Sequence, residues 1–221
     1  MTSPEFVAHA PYRPSRPPLE VSHEFVRILE QRRSIRDFSA APVDRELIES
    51  VVAAAASAPS GANKQPWTFV CIQDPEIKRK IRMAAEVEER EFYQSRAPES
   101  WKADLAPLGT DEHKEFLEVA PWLVVVFRHA KEPEHRGGGA VYYSDESVGI
   151  ATGMLLAAAQ VAGLATLTHT PSPMAFLAQV LERPSNERAY MLIPMGWPAD
   201  ECSVPAAALV KKPLGEVAVF R

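Results

Sequence analysis

Apolar residues recur along this chain with two periods, and the switches between them mark out its elements. After a proline-rich opening, Phe25, Val26, Ile28 and Leu29 form a helical stripe behind Ser22, which can cap it, and the pattern ends near Arg32-Arg33-Ser34. Asp44 precedes a second stripe of Leu47, Ile48, Val51, Val52 and Ala55, and Pro59 with Gly61 turns its exit into a loop. Trp67 to Ile72 reads as a strand. Asp74 followed by Pro75 is a strong start, cap and then first-turn proline, for a charged helix running to about Tyr93 and burying Ile77, Ile81, Ala84 and Ala85. From Gln94 to Thr110 the residues Pro98, Pro107 and Gly109 interrupt any period, which predicts a mobile surface segment able to serve as a lid.

Trp122 to Phe127 is an unbroken apolar run of strand length, and Lys131 to Gly139 is a charged loop ending in glycine. Val148 to Thr168 carries no charge and is as long as a bilayer-spanning helix. Its Ala, Gly and Thr content, Gln160 and a helix-stopping Gly163 ahead of the β-prone Thr166-Leu167-Thr168 argue instead for a helix buried on all sides. Gly149 and Gly153 permit close packing there, in the core or across a subunit interface. Ser172-Pro173 opens a last helix through Leu181, Tyr190 to Met195 gives a strand, and Glu216 to Phe220 one more. Helices alternating irregularly with few strands, and no repeats, predict the α+β class, with one domain over 21–221 behind an extended arm at 1–20.

Composition narrows the function. A length of 221 residues with 46% hydrophobic content can bury a sizeable core, while a formal charge of −5 leaves no broad cationic surface, so nucleic acid is not an expected partner. Cys71 and Cys202 lie far apart outside any CxxC spacing, which fits a reducing compartment and predicts neither a disulfide framework nor a zinc site. Pro4, Pro11, Pro14, Pro17 and Pro18 stand where a signal peptide would need an apolar core, so the expectation is a cytoplasmic protein without a membrane association. No His or Cys lies at metal-ligand spacing, and no metal is predicted.

Two segments carry candidate chemistry. Arg32-Arg33-Ser34-Ile35-Arg36 gathers three guanidinium groups and a hydroxyl at a helix end, where forked permanent cations suit a phosphate; taken alone, such a run equally complements the helix dipole. Pro59-Ser60-Gly61-Ala62-Asn63-Lys64-Gln65-Pro66-Trp67 is a loop of small residues that offers close backbone approach and N–H donors to a ligand. The pairing of the two, RRSxR, a helix, then APSGxxxQPW, closely resembles the nitroreductase superfamily, and the similarity runs from about Val21 onward, including Gly196-Trp197-Pro198. That resemblance implies a mainly antiparallel central sheet flanked by helices, an intertwined homodimer, and FMN as cofactor, held by Arg32, Arg33, Ser34, Ile35, Arg36, Pro59, Ser60 and Gly61, with the loop reaching the neighbouring subunit's flavin and substrate.

Within the superfamily, Glu89 and Tyr93, one helical turn apart, followed by Lys114, resemble the iodotyrosine deiodinase branch. There the matching Glu, Tyr and Lys close over a halotyrosine zwitterion, and the chemistry is sound in its own right: Glu89 can accept from an ammonium while Tyr93 and Lys114 hold a carboxylate. Ala62 completes the substrate set that the resemblance implies. It also implies that Thr168, His169 and Thr170 contact the flavin ring, with Thr170 as the catalytic hydroxyl at N5, which would favour one-electron transfer, and that Lys211 stands in for an arginine on the FMN phosphate. Read from the residues alone, His169 is a satisfied histidine rather than a proton donor. The expected activity is reductive dehalogenation of halotyrosines, with NADPH or a reductase as external electron donor; the alternative is a general NAD(P)H-dependent nitroaromatic or quinone reductase on the same FMN site.

Overall fold

A computed structural model of the protein describes residues 3–221. The chain divides into two compact units, Met1–Arg32 and Arg33–Arg221. The first contains one helix, α1 (Pro18–Glu30). It starts earlier than Ser22 because Pro18 supplies a preset first-turn φ at N1, and Arg16 pairs with Glu24 across its opening turn. None of its residues is buried, and Phe25 and Val26 of its apolar stripe each remain 46% exposed.

The second unit is built on a four-stranded antiparallel sheet in the order β1-β2-β4-β3, with β1 at Trp67–Ile72, β2 at Trp122–His129, β3 at Ala165–Thr166 and β4 at Glu187–Gly196. Strand β2 lies at its centre, and its unbroken apolar run follows from burial on both faces. Leu123, Val125 and Phe127 pack on one side with Ile81, Leu117 and Leu177, while Trp122, Val124 and Val126 pack on the other with Ile48, Val51, Val148 and Leu155. The first face is covered by α3 (Pro75–Glu91), α5 (Phe116–Val119) and α7 (Ala175–Val180), the second by α2 (Arg45–Ala56) and α6 (Ser144–Val161). This is the α+β arrangement expected from the sequence.

Particular residues set the element ends. Asp74 accepts from the Ile77 amide at 2.9 Å and caps α3, with Pro75 at N1. Gly163, at φ +78°, ends α6 and releases the chain into β3. Within the single chain, helix α6 is covered on one side: Val148, Ala151, Thr152, Leu155 and Ala159 are buried, while Ile150, Gly153 and Val161 are exposed. Asp145 and Glu146 place charge in its first turn only, and the open side beyond them is lined by small residues, Gly153 meeting nothing within 4 Å.

Two further readings are corrected. The segment 94–110 is largely helical where the prolines suggested irregular chain: α3 runs into a π turn at Phe92–Arg96, then α4 (Glu99–Leu105) and a 3-10 turn at Ala106–Leu108. Its prolines punctuate short helices instead of preventing them, Pro98 standing at the N-cap of α4. Residues Glu216 to Phe220 form no strand; Leu214–Val217 is a short helix, α8, followed by extended chain, because β-prone Val217, Val219 and Phe220 find no strand edge to pair with and stay exposed.

Candidate active site

The sheet and α3 bring the two chemical ends of the sequence together. The segment after the arginine run pairs with β3: Ser34 bridges Thr166, and the Ile35 amide donates to the Thr166 carbonyl at 3.0 Å. Arg36 therefore lies beside the chain leaving β3, where Thr168 and Thr170 are exposed and His169 between them is buried, the alternation expected of extended backbone. Across from them stand Glu89 on α3, Tyr93 on the π turn and Lys114 just before α5. All seven of these residues line one cavity of about 210 Å³. A π turn inserts an extra residue into a helix and so re-aims the side chains it carries, which places Tyr93 over this cavity.

The cavity is strongly charged for its burial. Lys114 Nζ lies 3.3 Å from Glu89 Oε2 with the two side chains only 6% and 13% exposed, and Nζ also donates to the Asp111 carbonyl. Burial pushes the Glu89 carboxyl above the ordinary range, and Lys114 opposes the shift without cancelling it. The Lys114 amide donates to Glu86 at 3.0 Å, fixing the loop that carries the ammonium. Tyr93 shares a 2.7 Å hydrogen bond with Thr110, and burial raises its phenol pKa. Burial first, then the cations Lys114 and Arg36, push His169 down to about 3, so its ring is neutral. Arg36 is half-buried and makes no hydrogen bond or ion pair among the described residues.

Sequence reasoning missed the apolar wall of this cavity: Phe92, Trp101, Leu105 and Phe116. Phe92 stacks edge-on against Trp101 at 4.9 Å and against Tyr93 at 5.3 Å. The spacing of Trp101 and Leu105, four residues apart, was the available signal, hidden in a segment whose prolines argued against any helix. A satisfied His169 was also expected, and this is corrected: its Nε2 is buried without a hydrogen-bond partner.

The remaining candidates lie elsewhere. Pro59, Ser60, Gly61 and Ala62 do not line the cavity. Their loop is held in left-handed backbone at Ala62, Asn63 and Gln65, with φ of 49°, 54° and 48°. The N–H donors expected for a ligand are largely used internally: Gly61 donates to Ser147 Oγ at 3.3 Å, Asn63 and Lys64 to the Ser60 and Gly61 carbonyls, and Gln65 to Ser60 Oγ. Arg33, Ser34 and Ile35 are half-buried beside β3 outside the lining, Lys211 is exposed in the chain before α8, and Arg32 is the last residue of the first unit.

A larger groove of about 930 Å³ opens at the far ends of β1 and β2, over Thr68, His129, Arg183 and Glu187. Its buried polar groups already satisfy one another: Thr68 Oγ1 donates to Glu187 Oε1 at 2.8 Å, and Arg183 forks onto both Glu187 oxygens at 2.8 and 3.0 Å. The smaller cavity, with an unmet guanidinium and an unmet imidazole nitrogen, is the better site.

The chain is similar to known proteins over most of its length. The Nitroreductase family model matches residues 29–197. An iodotyrosine deiodinase from Haliscomenobacter hydrossis is 53% identical over 188 residues, 85% of each chain, and human iodotyrosine deiodinase 1 is 41% identical over 98% of this chain and 76% of its own. Among solved structures, oxidized iodotyrosine deiodinase bound to FMN and 3-iodo-L-tyrosine superposes with a TM-score of 0.76 at 28% identity, covering 89% of this chain and 97% of that one. A BluB-like flavoprotein from Clostridium difficile, at 23% identity and a TM-score of 0.66, shares the fold. With the family model spanning most of the folded unit and two distant organisms supplying relatives above 40% identity, this chain belongs to the nitroreductase family.

Proposed function

We propose that this protein is an FMN-dependent reductive dehalogenase of halotyrosines, converting mono- and diiodotyrosine to tyrosine and iodide. The observation that carries the reading is the buried Glu89–Lys114 pair facing one cavity with Tyr93. An amino acid presents an ammonium and a carboxylate on one carbon, and this pair presents their counter-charges a few ångströms apart. Inserting the zwitterion between them exchanges one ion pair for two, with Glu89 on the ammonium and Lys114 and Tyr93 on the carboxylate, in a site already shielded from water. The aromatic wall of Phe92, Trp101 and Phe116 would then take the phenol ring.

The residues fit FMN. Arg36 offers an unpaired, half-buried guanidinium, and Thr168 and Thr170 present exposed hydroxyls at the cavity, the donors needed against an anionic cofactor and its ring. Thr168, His169 and Thr170 would contact the ring and Arg33, Ser34, Ile35, Arg36 and Lys211 the phosphate side; Arg32 remains a candidate on sequence grounds. When bound and reduced, FMN would supply the two electrons that, together with one proton, replace an aryl carbon–iodine bond by carbon–hydrogen and release iodide. The chain's own part is to hold the substrate head at Glu89, Tyr93 and Lys114, to exclude water through α4, and to keep a hydroxyl donor at Thr170 Oγ1. NADPH or a partner reductase would reload the cofactor.

The active form is a homodimer in this reading. The uncovered stripe of α1, the open side of α6 and the exposed Val217, Val219 and Phe220 are apolar surfaces of the kind a second copy covers, and Ala62 would reach the substrate only from that copy. We place the protein in the cytoplasm: Cys71 and Cys202 are free and exposed, and among the described residues no helix is long and apolar enough to cross a membrane. Residues 21–221 form the FMN-binding domain in this reading and 1–20 an arm. The deciding experiment is anaerobic: reduce the FMN-loaded protein with dithionite, add diiodotyrosine, and follow flavin reoxidation with product analysis. Fast reoxidation yielding tyrosine and iodide is expected; a flavin that stays reduced with diiodotyrosine yet reacts with nitroaromatics would transfer the assignment to a general reductase.

A further inference from the structure

In the candidate site, His169 Nε2 is the buried side-chain atom without a hydrogen-bond partner among the described residues. The residue is 8% exposed and held on three sides. Its amide donates to the Leu192 carbonyl at 2.9 Å, its carbonyl accepts from the Leu192 amide at 3.0 Å, and its ring meets Phe116 edge-on at 5.9 Å. These anchors leave Nε2 facing Glu89 Oε1 at 3.9 Å, about an ångström beyond hydrogen-bond length. A buried donor left unmet lowers stability, so its retention calls for a state of the protein in which it is met.

Glu89 supplies that state. Its two oxygens face different nitrogens, Oε2 toward Lys114 at 3.3 Å and Oε1 toward His169. In this structure the ammonium of Lys114 holds the carboxylate. When Lys114 turns to a ligand's carboxylate, Glu89 loses its partner on one side just as it takes up the ligand's ammonium, and a small shift of its carboxylate closes the gap to the imidazole. We propose that His169 is a positioning residue for zwitterion recognition: in the amino-acid complex its Nε2–H donates to Glu89 and fixes that carboxylate against the ligand's ammonium. The role rests on the reading of Glu89 as the ammonium acceptor. The groups facing the ring are Glu89 from α3, Lys114 ahead of α5 and Arg36 beside β3; burial first and then the two cations keep the imidazole neutral, and with a carboxylate oxygen facing Nε2 the tautomer that can donate to it is the Nε2–H form.

The test is calorimetric titration of the oxidised, FMN-loaded protein with monoiodotyrosine and with its analogue lacking the amino group, in wild type, His169→Leu, His169→Gln, Glu89→Gln and the Glu89→Gln/His169→Leu double variant. His169→Leu is expected to weaken monoiodotyrosine on the order of tenfold, the loss of a hydrogen bond to a charged group, and to leave the analogue unchanged. His169→Gln, whose amide can donate from a similar place, restores most of the affinity for monoiodotyrosine. On the Glu89→Gln background the leucine substitution has no further effect. Equal losses for both ligands, a glutamine variant as weak as leucine, or a loss that persists in the double variant would overturn the proposal. Glu89→Gln weakening the amino acid while His169→Leu does not would overturn it alone, whereas a silent Glu89→Gln removes the zwitterion reading and the proposal together. If the leucine variant does not fold, His169→Asn, too short to reach Glu89, takes its place.

Discussion

At the scale of the residue, the site is a set of charges buried against one another, and its predictions are electrostatic. Glu89→Gln keeps the shape and removes the charge, so halotyrosine binding should weaken by roughly 1–3 kcal/mol. Titration of the variant checks it, and unchanged affinity would sink the placement of the ammonium at Glu89. A second prediction concerns acid stability. The folded-state pKa of His169 lies far below its ordinary value of 6.5, at about 3, so the unfolded chain takes up that proton first as pH falls. Stability from this group is complete above pH 6.5 and is lost progressively toward pH 3, at about 1 kcal/mol per pH unit within that window. Glu89 has the opposite sign: its raised carboxyl makes protonation favour the fold, a contribution lost as pH rises through its folded pKa. Urea unfolding between pH 6.5 and 5 should accordingly show a shallower decline in His169→Gln than in wild type; equal slopes would mean that the ring is already protonated in the fold.

At the scale of the element, α3 matters most, because Glu89 near its end and Tyr93 on the following turn inherit their positions from its register. Removing its cap in Asp74→Ala leaves the Ile77 amide unmet and should lower stability by about 1 kcal/mol, read by thermal or urea unfolding, with little change in ligand affinity since the cap lies at the far end. The loop after α2 is less forgiving. A methyl group at Gly61 would sit 2.6 Å from the Tyr142 carbonyl oxygen, a backbone atom that cannot swing away. Gly61→Ala should therefore lower stability by about 1–3 kcal/mol, and a neutral result would show that the 142–143 segment yields freely. The cap was legible in the sequence, because a carboxylate before proline serves a local need; the need at Gly61 was not, because it arises from Tyr142, far along the chain. Nor was the lid. Helix α4 has seven residues, too few to show a period, and its helical form draws on the packing of Trp101 against Phe92.

At the scale of the whole molecule, the exposed apolar surfaces of the single chain lead to a prediction about assembly. Phe25→Asp on α1 places a charge in an uncovered apolar stripe. If a second copy covers it, the substitution should raise the dimer dissociation constant by roughly tenfold or more, measurable by sedimentation. A wild-type protein that sediments as a monomer at micromolar concentration would end that reading. The sequence by itself determined the class of fold and displayed the arginine run and the loop of small residues, because each follows from local periodicity or a short motif; Glu89, Tyr93 and Lys114 were nominated only through the family resemblance, since taken alone they read as ordinary surface residues. Tertiary structure alone decided that α6 keeps an open side, that the last residues form no strand, that Trp101 and Leu105 wall the cavity, and that His169 is unsatisfied instead of satisfied. These depend on which surfaces meet across long stretches of chain, and neither the burial of a face nor the partner of a nitrogen is fixed until the sheet and its helices are in place.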